Sequence, residues 1–281
     1  MSEKIYYLYA DIASQALAAM RKNDSSVNIS VDLNLTVEQF AIKDEKLILE
    51  DNISIDSDDL KKIVKKDNKV FFRDSTELDV LEISGEGHYK LVPTTTAPYL
   101  EISGVKMHIS KGICPYESAG LMAKQVVKSG HEVLDTCSGL GYAASSALAC
   151  GAKKIISVEK SADVIAIRKL NPWSQKIYSD KLALVNADIN EFILGLKSAS
   201  FDSIIHDPPR FSLAGELYSE AFYREMFRVL KPRGTLFHYT GNPNNKGRGK
   251  NFLKNCTQRL KNAGFKKITY IDVTMGFFAS K

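Results

Sequence analysis

Two stretches of the chain hold residue types that can do chemistry. The first is "HDPPRF", residues 206–211, where an apolar, strand-like run ends in a histidine, an acid, two prolines, a cation and an aromatic ring. Methyl or other group transfer needs its acceptor held in line with the leaving atom, so orientation supplies much of the catalysis. The fixed φ of proline holds neighbouring carbonyls rigidly, which suits Asp207, Pro208 and Pro209 to that task. Arg210 cannot accept a hydrogen bond, but its planar guanidinium can stack on a base or bind a phosphate or carboxylate, and Phe211 can supply a further stacking face. A rigid turn with Arg210 paired to Asp207 would use the same residues with no chemistry at all. His206 titrates near neutral pH and so can act as a general base; a buried histidine satisfied by its neighbours is the alternative.

The second stretch is "VLDTCSGLGY", residues 133–142, in which a short apolar strand ends in Asp135 and leads into a loop containing Gly139 and Gly141. Glycines let the backbone approach a ligand closely and adopt conformations that a side chain blocks. Glu159 ends the next strand-like run, "KIISVE", 24 residues after Asp135. A carboxylate there can accept hydrogen bonds from ribose hydroxyls. Asp188 ends the third run, "LALVNAD". Three strand ends bearing acids, with glycines after the first, describe a nucleoside pocket at the carboxyl edge of a sheet. Cys137 lies inside the glycine loop, where a thiol packs against a ligand more readily than it acts as a nucleophile. Tyr116, Tyr142 and Tyr218 flank these loops as candidate pocket walls. A dinucleotide fold would require G-x-G-x-x-G, and Ala144 occupies its third glycine position.

The elements that must position these residues follow from pattern. From residue 132 onward, strand-like and helical segments alternate, which implies a parallel sheet covered on both faces. Seven strands are expected, and the last two are joined by only Thr274, Met275 and Gly276. No crossover fits in that span, so the last strand should run antiparallel to its neighbour. The first 90 residues show short alternating runs such as "VNISVDLNL" and "KLILEDNISI", with helices expected near 10–23 and 56–67. The two prolines and three threonines of "VPTTTAP", residues 92–98, mark the boundary, giving a small β-rich α+β domain over 1–95 and an α/β domain over 96–281.

Composition sets the outer limits. The 281 residues suit two domains, 44% of them are hydrophobic, and mean hydropathy is −0.17. No apolar run approaches a membrane span, and the N-terminal residues lead to the expectation of no export. Cys114, Cys137, Cys150 and Cys256 are scattered singly, without metal-ligand or disulfide spacing, so a cytoplasmic setting and no metal are expected. Charge is unevenly spread: residues 1–90 carry 12 Lys and Arg against 18 Asp and Glu, and the remainder carries 26 against 15. The basic C-terminal part can attract a polyanion such as RNA. The segment 241–251 adds Lys246, Arg248 and Lys250, which suit phosphates or simple solvation, and the single Trp173 can stack on a base or merely pack.

This arrangement resembles the class I S-adenosylmethionine-dependent methyltransferases, whose first motif is an acid, three residues, then G-x-G, as in Asp135 to Gly141. The resemblance covers about residues 105–281. It implies a Rossmann-like seven-stranded sheet and S-adenosylmethionine as cofactor. The Asp135–Gly141 loop, including Cys137 and Gly139, with Tyr142 after it, would surround the methionine part; Glu159 would hold the ribose and Asp188 the adenine amino group. Several segments, among them "KLVPTTTAPYLEISGVKMHISKG" and "LFHYTGNP", resemble a group of methyltransferases predicted in archaea. "DPPRF" is similar to the acceptor motif of amino-methyltransferases and to an acid-Pro-Pro-basic-Phe version in some ribosomal RNA methyltransferases. Asp207 to Phe211 are therefore the expected acceptor site, RNA the leading acceptor, and protein or a small molecule the other options. "ELYSEAFYREMFRVLKPRG" also resembles a segment of polyamine synthases, which implies aminopropyl transfer as the rival enzyme class. A non-enzymatic binding subunit ranks last.

Overall fold

A computed structural model describes residues 4–241 and 248–281. Two compact units emerge: residues up to Pro115 together with Lys169–Trp173, and Tyr116–Arg168 together with Ser174–Lys281.

The second unit is built on a seven-stranded sheet: β1 (Glu132–Asp135), β2 (Lys154–Glu159), β3 (Leu182–Asn186), β4 (Phe201–His206), β5 (Leu230–Tyr239), β6 (Lys266–Ile271) and β7 (Gly276–Ser280). Its spatial order is β3-β2-β1-β4-β5-β7-β6. The pairs β1·β2, β2·β3, β1·β4 and β4·β5 are parallel, whereas β7 runs antiparallel to both β5 and β6. The expected antiparallel final strand is present, inserted between its two neighbours. Helices α1 (Pro115–Val126), α2 (Tyr142–Ala149), α3 (Ala162–Lys169), α4 (Ile189–Phe192), α5 (Glu220–Val229) and α6 (Arg248–Ala263) supply the rest. In α5 the apolar residues Phe222, Tyr223, Met226 and Val229 recur at helical spacing and are all buried. Its start is fixed by Ser219, whose hydroxyl accepts from the Phe222 amide at 3.1 Å. These side chains join Leu134, Ile204, Phe201 and Leu236 in one core, each worth roughly 1.5–3 kcal/mol of burial.

Because β2 and β4 lie on opposite sides of β1, connections leave the sheet in opposite directions there, opening a crevice at the carboxyl ends of the strands. Asp135, Glu159 and Asp207 all reach that edge. Among the described residues no helix is long and apolar enough to cross a membrane.

The first unit contains three small antiparallel sheets and the helices Ala10–Arg21 and Ser57–Val64. In one sheet the strand Tyr99–Ile102 pairs with His88–Val92, Tyr99 opposite Val92 and the buried Leu100 opposite the buried Leu91. The prolines of "VPTTTAP" thus frame a hairpin connection rather than a linker, and residues 96–115, assigned by sequence to the second domain, pack with the first. Asn34 ties this turn by donating to the carbonyls of Thr94 and Thr96. Trp173 belongs to the same unit, its indole donating to the Leu33 carbonyl at 2.7 Å.

Candidate active site

Asp135 ends β1 with its side chain wholly buried. Ser157, its register partner on β2, places Oγ 2.7 Å from one carboxylate oxygen of Asp135 and 2.7 Å from the hydroxyl of Ser138. The other oxygen, Oδ1, is buried without a hydrogen-bond partner. Burial pushes the carboxyl up to about 6, against the pull of the Ser157 hydroxyl and the nearby Arg168 charge. Arg168, almost fully buried on α3, donates to Ser138 Oγ at 2.8 Å and to the Gly139 carbonyl at 3.4 Å. The glycine loop is therefore clamped from beneath by a guanidinium.

Both loop glycines have positive φ, +52° at Gly139 and +77° at Gly141. A side chain on Gly139 would meet only open space, whereas one on Gly141 would strike Ile177 Cδ1 at 2.7 Å. Gly139 thus leaves the ligand side open, and Gly141 permits the close packing that starts α2. The Gly139 amide donates to Glu159 Oε2 at 2.8 Å, and the Ser161 amide to Oε1 at 2.9 Å. These bonds orient the carboxylate at the end of β2 while leaving lone pairs for hydroxyl donors. Asp188 caps α4 by accepting from the Asn190 amide and pairs with Lys160 at 2.8 Å. The Lys160 ammonium holds its carboxyl below the usual range.

Cys137, Glu159, Asp188 and Pro209 line one cavity of about 200 Å³, together with Thr136, Lys160, Leu213 and Leu217. The Cys137 thiol is pushed far up by burial, with Glu159 adding to the effect, so it stays neutral. Tyr142, by contrast, is buried in the first turn of α2 against Tyr116, with ring centroids 5.4 Å apart. It is not among the residues that line the cavity.

Residues 207–211 leave β4 at the same edge. Asp207 is partly buried and its carboxyl is pushed up to about 7 by burial and then by the charge of Asp135. Pro208 is buried; Pro209 and Arg210 are exposed, and Phe211 keeps 47% of its surface open. The Pro209 carbonyl accepts from the Tyr218 hydroxyl at 2.9 Å, and Phe211 packs edge-on against Tyr218 and Phe252. Among the described residues Arg210 makes no ion pair, so the pairing with Asp207 that a simple turn would use is not made. His206 is the satisfied core histidine: burial drops it to about 3, and both ring nitrogens have partners. The side chains of Lys246, Arg248 and Lys250 lie outside the described residues.

Sequence reasoning missed Arg168, Ser157, Lys160, Leu213 and Leu217. Arg168 occupies a helical position beside the buried Val164 and Ile167, and nothing in the local pattern distinguishes a cation turned inward from one turned to solvent. Lys160, directly after Glu159, was legible as a charge at a strand end, but its partner 28 residues away was not.

A family model described as "Conserved hypothetical protein 95" matches residues 120–258. A Methanocaldococcus jannaschii protein described as "Uncharacterized protein MJ1233" is 41% identical over 281 residues, covering 98% of this chain and 95% of its own. Among solved structures, a spermidine synthase in complex with the transition-state analogue AdoDATO is similar over 100% of this chain and 81% of its own, with TM-score 0.59 at 15% identity. A tRNA methyltransferase of M. jannaschii is similar over 73% of this chain and 56% of its own, with TM-score 0.42 and 15% identity. The likeness to the spermidine synthase, at 15% identity, is one of fold: a Rossmann-like sheet with its last strand antiparallel. The chain belongs to the same family as the M. jannaschii protein.

Proposed function

We propose that the protein transfers a methyl group from S-adenosylmethionine to a base of RNA. The observation that carries this reading is the shared wall: Pro209 of the acceptor run lines the cavity that also holds Glu159 and Asp188. Exposed Arg210 and half-exposed Phe211 follow directly after it.

The residues present fit the cofactor. Glu159, fixed by two backbone amides, keeps acceptor capacity for ribose hydroxyls, and Asp188 with Ile189 and Asn190 forms the neighbouring wall for an adenine. The unpartnered Oδ1 of Asp135 and the open space over Gly139 suit the ammonium-bearing end. When bound, S-adenosylmethionine supplies an electrophilic methyl on a sulfonium sulfur. Asp207 and the Pro208 carbonyl orient the acceptor by accepting its hydrogen bonds. Phe211 stacks on the target base, and Arg210 takes the base face or an adjacent phosphate. Leu213, Ala214 and Leu217 exclude water from the cavity. The basic C-terminal part attracts the RNA backbone.

A second reading, aminopropyl transfer to a polyamine, is favoured by the full-length likeness in fold to spermidine synthase and by the acids Glu159, Asp188 and Glu216 around the cavity. An exposed Arg210 beside the acceptor position, without an ion pair among the described residues, disfavours a polycation. The deciding experiment incubates the protein with labelled S-adenosylmethionine and fractionated RNA, protein and small molecules from the source cell. Label in RNA, lost in Asp207→Ala, supports the first reading. Label only in protein or metabolites sinks the RNA acceptor, and turnover only with decarboxylated cofactor and spermidine establishes the second.

A further inference from the structure

We infer that His206 is a positioning residue: its imidazole latches the loop that carries the acceptor run onto the cofactor turn, in one obligatory tautomer. The inference rests on the methyl-transfer reading of the site. His206 ends β4 and is wholly buried, with Nδ1 2.7 Å from Thr136 Oγ1 and Nε2 3.0 Å from the Leu217 carbonyl. A carbonyl oxygen only accepts, so the proton is on Nε2. Nδ1 then carries a lone pair and accepts from the Thr136 hydroxyl. Burial keeps the ring neutral, which is the form that can both donate and accept.

The two partners are what make this bond pair functional. Thr136 belongs to the turn after β1 and Leu217 to the short 3-10 helix Gly215–Tyr218, and both line the cofactor cavity. The loop from Asp207 to Tyr218 is internally closed: Tyr218 Oη donates to the Pro209 carbonyl at 2.9 Å, and the Leu213 amide donates to the Arg210 carbonyl at 2.7 Å. Arg259 of α6 secures its far end by donating to the Tyr218 carbonyl at 3.0 Å. Such a loop moves as a body, and the imidazole sets its distance from the cofactor turn. The ring itself is held by His238, Phe222 and Tyr218, with centroids 4.6, 5.2 and 6.5 Å away. Beside the backbone bond from the Thr136 amide to the Ile205 carbonyl, the imidazole is the side-chain link that fixes Pro209, Arg210 and Phe211 relative to Thr136 and Cys137.

The test uses the full chain and two substitutions with opposite reach. The amide of Gln can replace Nε2 as donor to Leu217, whereas that of Asn stands at the level of Nδ1 and leaves the Leu217 carbonyl unheld. His206→Asn should weaken S-adenosylhomocysteine binding, measured by calorimetry, roughly tenfold, the loss expected for one buried hydrogen bond. Amide exchange at Leu213, Ala214 and Leu217 should accelerate by a similar factor. His206→Gln keeps the Leu217 bond but loses the one to Thr136, so it should weaken S-adenosylhomocysteine binding by a similar factor while exchange at Leu217 stays within about threefold of the parent protein. Parent-like S-adenosylhomocysteine binding in either variant, or equal exchange at Leu217 in the two, overturns the latch. Should neither variant fold, nitrogen-15 NMR of the histidines in the unmodified protein decides, because a proton on Nδ1 of His206 is incompatible with it. A parent protein that binds S-adenosylhomocysteine but labels no RNA refutes the proposed acceptor and leaves these readouts intact.

Discussion

At Asp207, the proposed acceptor-orienting acid, burial makes the carboxyl reluctant to ionise. With its carboxyl near 7, only about a tenth is ionised at pH 6 and about nine-tenths at pH 8. If the carboxylate is the acceptor-orienting form, single-turnover methyl transfer should rise roughly tenfold across that interval. Asp207→Asn should flatten the profile, and an unchanged inflection in that variant would reassign it. Stability gives an independent reading. The folded-state values of Asp135, about 6, and Asp207, about 7, lie above those of unfolded acids. The native state therefore binds more protons than the unfolded state between pH 5 and 8, and this contribution is lost as pH rises through the folded values. Denaturant midpoints of the ligand-free protein should fall over that window, and Asp207→Asn should remove on the order of 1–2 kcal/mol of the decline. A wild-type midpoint that rises as steeply as the variant's would refute the assignment.

At the scale of elements, the turn from β1 to α2 separates two roles for glycine. Gly141→Ala must place a methyl 2.7 Å from Ile177 Cδ1 at φ +77°, so it should cost about 1–3 kcal/mol in unfolding free energy. Gly139→Ala meets no atom, so its stability cost should be about 1 kcal/mol, with the larger effect on S-adenosylhomocysteine affinity. Equal losses of stability in the two variants would contradict this division. Arg168→Met tests the clamp beneath the turn. Removing the buried guanidinium frees Ser138 and Gly139 and takes a nearby cation from Asp135, so thermal unfolding should report a loss of about 3 kcal/mol. The turn itself was legible in the sequence because the apolar strand, its terminal acid Asp135 and the spaced glycines Gly139 and Gly141 stand next to one another along the chain. Its clamp was not, because an arginine on an amphipathic helix has the same local signature whether it faces core or water.

For the whole molecule, the excess of basic residues beyond residue 90 makes RNA association salt-dependent if RNA is the acceptor. With about four phosphates neutralised, log affinity for single-stranded RNA should fall with log salt at a slope near −3, measured by titration at several ionic strengths. A slope near zero would point to an acceptor without a polyanionic backbone. The sequence by itself determined the alternating strand and helix pattern, the antiparallel final strand, and the acids and prolines at the strand ends. Those features are local: side-chain periodicity, turn length and backbone restriction act between near neighbours. Only the tertiary structure decided that Pro209 shares a wall with Glu159 and Asp188, that Tyr142 packs against Tyr116, and that Tyr99–Ile102 joins a sheet of the first unit. It also decided that His206 spans from Thr136 to Leu217 rather than serving as a free base. These outcomes depend on which strands become neighbours and on what each buried polar atom finds within hydrogen-bond reach, and residues 70 apart in sequence meet only once the sheet has formed.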